Sequence, residues 1–315
     1  MPDYITPSWV RPWWRPWMGY ILAMIGFLWA TAGFFNFYFK LGLPELIFNR
    51  FSEIFVIAIY GVPVIIISRE KYQRFRLTLM VSLLVTFWYI IPVYFPFNVN
   101  LFGLYRTDFP SLDMPGSLTN ILLLILGLLF GRRVKCGWMN TCVAIKETAG
   151  APFRRFTARE PKFFNRSKIK IITSIPFLIC FILIFTPAGE YKSIYLYWFW
   201  TVVIVIYFGA LFLSPIFGPR VWCRWMCPLL FGWVNVLGFF RLRVDKNKCT
   251  ECGACEKRCD MGVPIVLMSK KNPSIKTTEC IGCGRCRDEC KNDAIRFYDV
   301  RDFIKEKLLK KDRDR

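Results

Sequence analysis

The sequence predicts an all-α polytopic membrane domain of about six transmembrane helices with an internal hairpin repeat, followed by a small α+β domain. Three observations predict this. Apolar residues make up 55% of the chain and the mean hydropathy is +0.36, high for a soluble globule. Apolar stretches close to the ~20 residues needed to cross a hydrocarbon core of roughly 30 Å recur along the first 240 residues. Beyond residue 240 the composition turns charged and cysteine-rich.

The segment 1–16 interleaves Trp9, Trp13 and Trp14 with Arg11 and Arg15. Directly before an apolar run, that mixture reads as an interfacial belt rather than a nucleic-acid stacking surface. No short apolar region followed by a small-residue cleavage site is present, so no removable signal peptide is expected. Six spans are expected within a transmembrane domain at 17–240, at about 17–39, 51–68, 77–97, 117–131, 169–187 and 193–214. Pro63, Pro92 and Pro96 kink or end their helices.

Loop charge sets the orientation. The side holding both termini carries Arg11, Arg15, Arg69, Lys71, Arg74, Arg76 and ten further Lys or Arg between Arg132 and Lys168. The other side carries Lys40, Arg50, Arg106 and Lys192. The excess places a multi-pass chain in the cytoplasmic (inner) membrane with both termini and the cysteine-rich domain cytoplasmic. The net charge of +21 therefore belongs to membrane loops and to acidic partners or lipid headgroups, with no nucleic acid implied.

The chain has no histidine, which removes imidazole-ligated haem and the commonest zinc and copper geometries. No CxxCH motif, Walker A loop or GxGxxG fingerprint occurs, so no haem and no nucleotide are expected.

Two runs of CxxCxxCxxxC lie in 241–300. Three close cysteines wrap one face of a cubane, and the fourth of each run ligates the other cluster in two-cluster ferredoxins. Cys249, Cys252, Cys255 and Cys290 are thus expected to hold one [4Fe–4S] cluster, and Cys280, Cys283, Cys286 and Cys259 a second. Zinc ribbons use pairs of CxxC instead, and disulfides suit neither the spacing nor a reducing compartment. Gly253, Gly282 and Gly284 fit tightly bent loops that turn amides toward sulfur. The α+β domain is therefore expected to be a bacterial-type 2[4Fe–4S] ferredoxin, closed by a charged tail at 301–315. Asp260 and Lys291 stand where such ferredoxins usually carry proline.

Upstream, Gly131–Met139 aligns with Gly218–Met226 as G-x-R-V-x-C-x-W-M, six identities in nine positions at a spacing of 87 residues. Each copy follows an expected span on the cytoplasmic side, so a duplicated helical hairpin is the simplest origin. A second cysteine follows each: Cys142 after Cys136, and Cys227 before Pro228 after Cys223. Cys136, Cys142, Cys223 and Cys227, in the motifs 136–142 and 223–227, suffice for a third [4Fe–4S] cluster at the membrane edge. Arg133 and Arg220 could offset its charge, and Trp138 and Trp225 could shield it. The alternative is buried structural thiols, the reading that Cys180 receives.

Cytoplasmic cysteine pairs after membrane helices, followed by a two-cluster ferredoxin, resemble the NapH/NosR/CcoG group of membrane polyferredoxins over about 77–295. Cys223-Arg-Trp-Met-Cys227-Pro228 matches the family's C-x3-C-P; Cys136 to Cys142 has two extra residues and Val143 in place of proline. The resemblance implies a membrane-bound iron–sulfur electron-transfer subunit, an oxidoreductase component relaying single electrons between the cytoplasmic side and a membrane partner. It implies exchange with the quinone pool, as in a quinol dehydrogenase, within a larger redox complex. Proton acceptors for quinone chemistry would come from Glu45, Glu53, Asp108, Asp113, Glu190, Glu70 or Glu147, each of which reads first as a solvated loop charge. Glu53 stands out because it interrupts an apolar run. Two other readings compete: a metal-reducing maturation factor, as in the CcoG branch, and a ferredoxin-bearing anchor of a larger complex.

Overall fold

A computed structural model of the chain describes residues 16–68, 70–94, 114–159, 172, 174–176, 178, 179, 190–227 and 234–313. In chain order the described helices are α1 (Pro16–Phe39), α2 (Ser52–Ile67), α3 (Lys71–Val85), α4 (Met114–Phe130), α5 (Thr141–Glu147), α6 (Glu190–Phe212), α7 (Ser214–Phe217) and α8 (Val234–Leu237). The chain then forms β1 (Arg241–Val244), α9 (Ala254–Lys257), α10 (Ile265–Lys271), β2 (Ser274–Ile275), α11 (Arg285–Asp288), β3 (Ile295–Tyr298) and α12 (Val300–Arg313). α3 continues through a π-helical turn, Thr86–Ile90, into the helical turn Ile91–Tyr94 that holds Pro92.

The architecture is mostly helical, and helices run through the expected segments 17–39, 51–68, 117–131 and 193–214 and through the described part of 77–97. The segment 1–15, Pro96, Asp108, Asp113, Cys180, Pro228 and nearly all of the expected span 169–187 lie outside the described residues. Among those described, one helix, Trp17–Phe39, is long and apolar enough to cross a membrane. Ser52–Ile67 and Thr201–Phe212 are apolar but shorter. The expected tail is helical as far as Arg313.

Two compact units emerge. The first draws on the described residues of Met1–Val99, Met139–Ala158 and Val202–Trp222. Here α1 and α2 form a hairpin whose turn is tied by Asn36: its amide donates to the carbonyls of Leu43 (3.1 Å) and Phe48 (2.8 Å) and accepts from the Leu43 N–H (2.9 Å). Those bonds satisfy backbone groups of the loop between the two apolar helices. The Tyr60 hydroxyl donates to the Leu22 carbonyl at 2.6 Å, joining α2 to α1. Phe34 and Phe208 rings, 5.0 Å apart, join α1 to α6, and Tyr20 stacks on Phe153 at 5.4 Å.

The second unit draws on the described residues of Asn100–Trp138, Arg159–Thr201 and Cys223–Arg315. It therefore includes residues on both sides of position 240. Its sheet has the order β2-β1-β3, all antiparallel, with Leu242 opposite both Ile275 and Phe297. Leu242, Val244, Ile275 and Ile295 are buried on one face of the sheet, where Leu242 lines the cysteine cavity, and Tyr298 is buried on the other, against Arg243. Within this unit α4 ends just before Gly131, whose φ is +84 and whose hydrogen faces the Phe240 ring; a Cβ would lie 2.3 Å from it. Only glycine meets both demands.

Candidate metal centres

The two cysteine runs of the C-terminal domain fold as near copies. Gly253 and Gly284 are both left-handed (φ +72 and +85) and start the short helices α9 and α11. At the end of each run the last cysteine sulfur accepts a backbone N–H from four residues on: Val263 to Cys259 and Ala294 to Cys290, both 3.4 Å. Sulfur-directed amides of this kind stabilise bound thiolate.

Cys280, Cys283 and Cys286 share a single cavity with Cys259, which comes from the other run. Leu242, Met261, Val263, Ile265 and Phe297 close it with apolar walls. Four sulfurs around an apolar hollow fit a cubane, in which each thiolate meets a different iron. Among the described residues no three His, Cys, Asp or Glu side chains converge as ligands of a single ion would. Around the other expected set, the Cys255 thiol lies within the electrostatic reach of Cys249 and Cys252. Cys290 sits just before β3, where Ala294 engages its sulfur.

Burial pushes the Cys255 and Cys280 thiols up to about 12 and the Cys259 thiol up to about 11. Burial also raises Cys286 well above the ordinary value. Cys252 shifts the other way, because the Ala254 N–H and then the Thr250 hydroxyl favour its thiolate. Thiols held protonated must release protons when they take up metal, so occupancy is favoured as pH rises.

The repeated upstream element is also a structural repeat. Gly218 matches Gly131 with φ +86, and each copy runs into a π-helical stretch, Arg133–Met139 and Trp222–Met226. Such turns often mark functional positions. Cys136, Cys223 and Cys227 are buried within the second unit, whereas Cys142 belongs to the first and opens α5 with its N–H on the Asn140 side chain.

The cysteine at 136 is held against the ferredoxin loops. A Cβ on Gly137 would lie 3.2 Å from the Ile281 carbonyl, and one on Gly282 would lie 2.8 Å from Arg133 Cβ. Glycine at both positions lets two backbones touch. The repeated arginines have carboxylate partners: Arg133 pairs with Asp299 and lies over the Phe240 and Phe297 rings, and Arg220 pairs with Glu147. Trp225 is buried under Arg224, whose guanidinium carbon is 5.2 Å from the ring, and Trp138 is partly exposed.

The sequence reading passed over Arg132. Its Nε donates to Cys136 Sγ (3.4 Å), Nη1 to the Thr278 carbonyl (2.9 Å) and Nη2 to the Cys223 carbonyl (3.3 Å). Burial works against its charge, but the thiols of Cys136, Cys227 and Cys223 and the Glu279 carboxylate outweigh burial and hold its pKa above the ordinary value. The only sequence signal was a break in the repeat, where Pro219 replaces Arg132.

The acidic residues divide sharply. Glu45 and Glu70 are exposed loop charges as expected. Glu147 is not: it is fully buried, with Arg76 at 3.0 Å, Arg154 at 2.9 Å and Arg220 as ion-pair partners. An isolated buried carboxylate could not persist, but one ringed by guanidiniums can. Half-buried Glu53 accepts the Tyr207 hydroxyl at 2.7 Å, and the buried Lys146 ammonium lies 4.8 Å from that ring.

A family model described as a 4Fe–4S dicluster domain matches residues 241–291. The chain is 34% identical over 83 residues to the putative electron transport protein YccM of Escherichia coli (strain K12), covering 26% of this chain and 22% of that one. With the ferredoxin-type protein NapH of Haemophilus influenzae it shares 24% identity over 204 residues, 58% of this chain and 69% of the relative. With protein NirI of Paracoccus denitrificans it shares 29% over 182 residues, 51% of this chain and 25% of the relative. The chain is thus similar to NapH-like ferredoxin-type proteins with 4Fe–4S motifs. YccM and NirI extend well beyond the part that this chain matches. No solved structure matches significantly. The dicluster match supports [4Fe–4S] clusters as cofactors of the 241–291 region.

Proposed function

We propose that this protein is a membrane-bound relay passing single electrons between the cytoplasmic side and a membrane partner, the quinone pool, as one component of a larger redox complex. The observation that carries the reading is the cavity shared by Cys280, Cys283, Cys286 and Cys259, a ligand set drawn from both cysteine runs. By the same pattern Cys249, Cys252, Cys255 and Cys290 hold the second cluster of the 241–300 domain. Cys136, Cys223 and Cys227 hold a third, with Cys142 as the fourth thiolate that the sequence repeat supplies. Bound at these cysteines, [4Fe–4S] clusters supply one-electron chemistry at potentials set by charge, burial and hydrogen bonds to sulfur.

The protein's own residues do the rest. Apolar side chains around Cys286 exclude water, and the Val263 and Ala294 amides orient the sulfurs of Cys259 and Cys290. The apolar α1, with the shorter apolar stretches Ser52–Ile67 and Thr201–Phe212, supports a multi-pass anchor over 17–240, and the loop charges support cytoplasmic termini. The Glu53–Tyr207 pair supplies a half-buried proton acceptor and a donor of the kind quinone reduction requires.

The deciding experiment is iron and sulfide quantification with EPR on protein purified without oxygen. Three clusters give about twelve irons per chain, and the C-terminal domain alone gives about eight. Protein without iron and labile sulfide would sink the proposal. Reoxidation of the dithionite-reduced protein by a quinone analogue tests the membrane partner; protein that stays reduced with the quinone analogue argues against the quinone pool.

A further inference from the structure

Arg132 stands apart from the arginines around it. Arg133 and Arg220, the repeated pair, are engaged by Asp299 and Glu147. Arg132 has no counterpart in the second copy, where the residue is Pro219. It is 2% exposed, and each of its guanidinium nitrogens has a separate acceptor. Two of those acceptors, Cys136 Sγ and the Cys223 carbonyl, lie in the two upstream cysteine motifs; the third, the Thr278 carbonyl, lies two residues before Cys280.

The backbone makes the same connection. The Arg132 N–H donates to Asn235 Oδ1 at 2.7 Å, and Asn235 Nδ2 donates to the carbonyls of Cys280 (2.5 Å) and Thr277 (3.2 Å). Asn235 is 1% exposed, so water does not compete for these bonds. A buried cation acts over several ångströms in such surroundings, because little solvent screens it.

We propose that Arg132, seated by Asn235, is a positioning residue common to two metal centres: one guanidinium sets the electrostatics of both the Cys136–Cys223–Cys227 group and the neighbouring group that includes Cys280. The second centre is the shared cavity of the ferredoxin domain, and the first rests on the reading of a third cluster. A fixed positive charge stabilises the reduced, more negative state of any centre beside it. Both centres therefore have raised midpoint potentials, and both depend on the same side chain.

The test is potentiometric titration monitored by EPR on full-length, anaerobically purified protein. Arg132→Gln keeps an amide donor without charge, and Arg132→Lys keeps charge without the three-way fork. With about twelve irons per chain in the wild type, Arg132→Gln is expected to lower the potentials of two centres and leave the remaining one in place. Arg132→Lys is expected to restore most of both shifts, which a merely structural role for the fork would not do. If only one potential moves, or neither, or if lysine fails to restore them, the inference is overturned while the third cluster stands. About eight irons in the wild type would overturn the third-cluster reading, and the two-centre claim with it. Should Arg132→Gln lose its clusters, Asn235→Asp, which places a negative charge between Arg132 and Cys280, is expected to lower the same two potentials; unchanged values would be equally fatal.

Discussion

Gly131–Met139 and Gly218–Met226 begin alike, with a left-handed glycine, an arginine two residues on and a cysteine within a π-helical turn. Their side chains then serve different neighbours. Arg133 meets Asp299 and two phenylalanine rings beside the sheet, whereas Arg220 meets Glu147 in a fully buried cluster with Arg76 and Arg154. Gly137 lies against the Ile281 carbonyl, while the equivalent position in the second copy carries Arg224. The difference teaches that a duplicated stretch retains its backbone, which is local, and acquires its energetics from whatever packs on it.

The comparison can be broken most severely at Glu147. Glu147→Ala would leave Arg76 and Arg220 buried without their shared anion, and a loss of about 3–5 kcal/mol is expected in detergent unfolding titrations. A loss under ~1 kcal/mol would mean that Glu147 does not hold the second copy in place. The first copy is expected to be less sensitive: Asp299→Ala should destabilise by about 2 kcal/mol, because Arg133 keeps its two ring contacts.

The same carboxylate carries a pH signature. Burial raises the Asp299 pKa, but hydrogen bonds from Arg301 and the charge of Arg133 outweigh it and hold the carboxyl below its ordinary 3.8. A depressed folded-state pKa means that the stabilisation is full above the unfolded value and fades as pH falls through the folded one. Acid titration of the wild type against Asp299→Asn should show the two stabilities converging below about pH 4.

A smaller effect separates Gly137 from its counterpart. Gly137→Ala should destabilise by about 1 kcal/mol or slightly more, since the added methyl meets a backbone carbonyl at 3.2 Å. The signature would be altered solvent exposure around Ile281 in hydrogen exchange. The smallest effect is expected at the exposed Arg243–Glu306 pair, 2.6 Å apart, where Arg243→Ala should change stability by less than about 1 kcal/mol.

Several of these features were legible in the sequence because they depend on short spacings. The CxxCxxCxxxC runs and the glycine two residues before each third cysteine foretold loops that bend left-handed at Gly253 and Gly284. The G-x-R-V-x-C-x-W-M repeat foretold matched backbones at Gly131 and Gly218. Glu147 was misread because a carboxylate in a basic loop looks solvated until Arg76 and Arg220, from distant positions, close around it beside the nearby Arg154. Arg132 was passed over because it falls outside the repeat, where Pro219 takes its place, and no local spacing marks the cysteine it faces.

Composition, apolar run length and cysteine spacing by themselves determined a largely helical chain ending in a 4Fe–4S dicluster domain. Each of those signals is written within one or two turns of backbone, where bond geometry and hydrophobic periodicity act directly. Only the tertiary structure decided which arginine faces the cysteines, which carboxylate is buried, and that Gly137 and Gly282 bring two loops into contact. Those choices depend on groups up to 166 residues apart in the chain, such as Arg133 and Asp299. At that separation no local spacing encodes the partner; it is selected by which charges share the same buried space, where an unpaired ion is too unfavourable to remain.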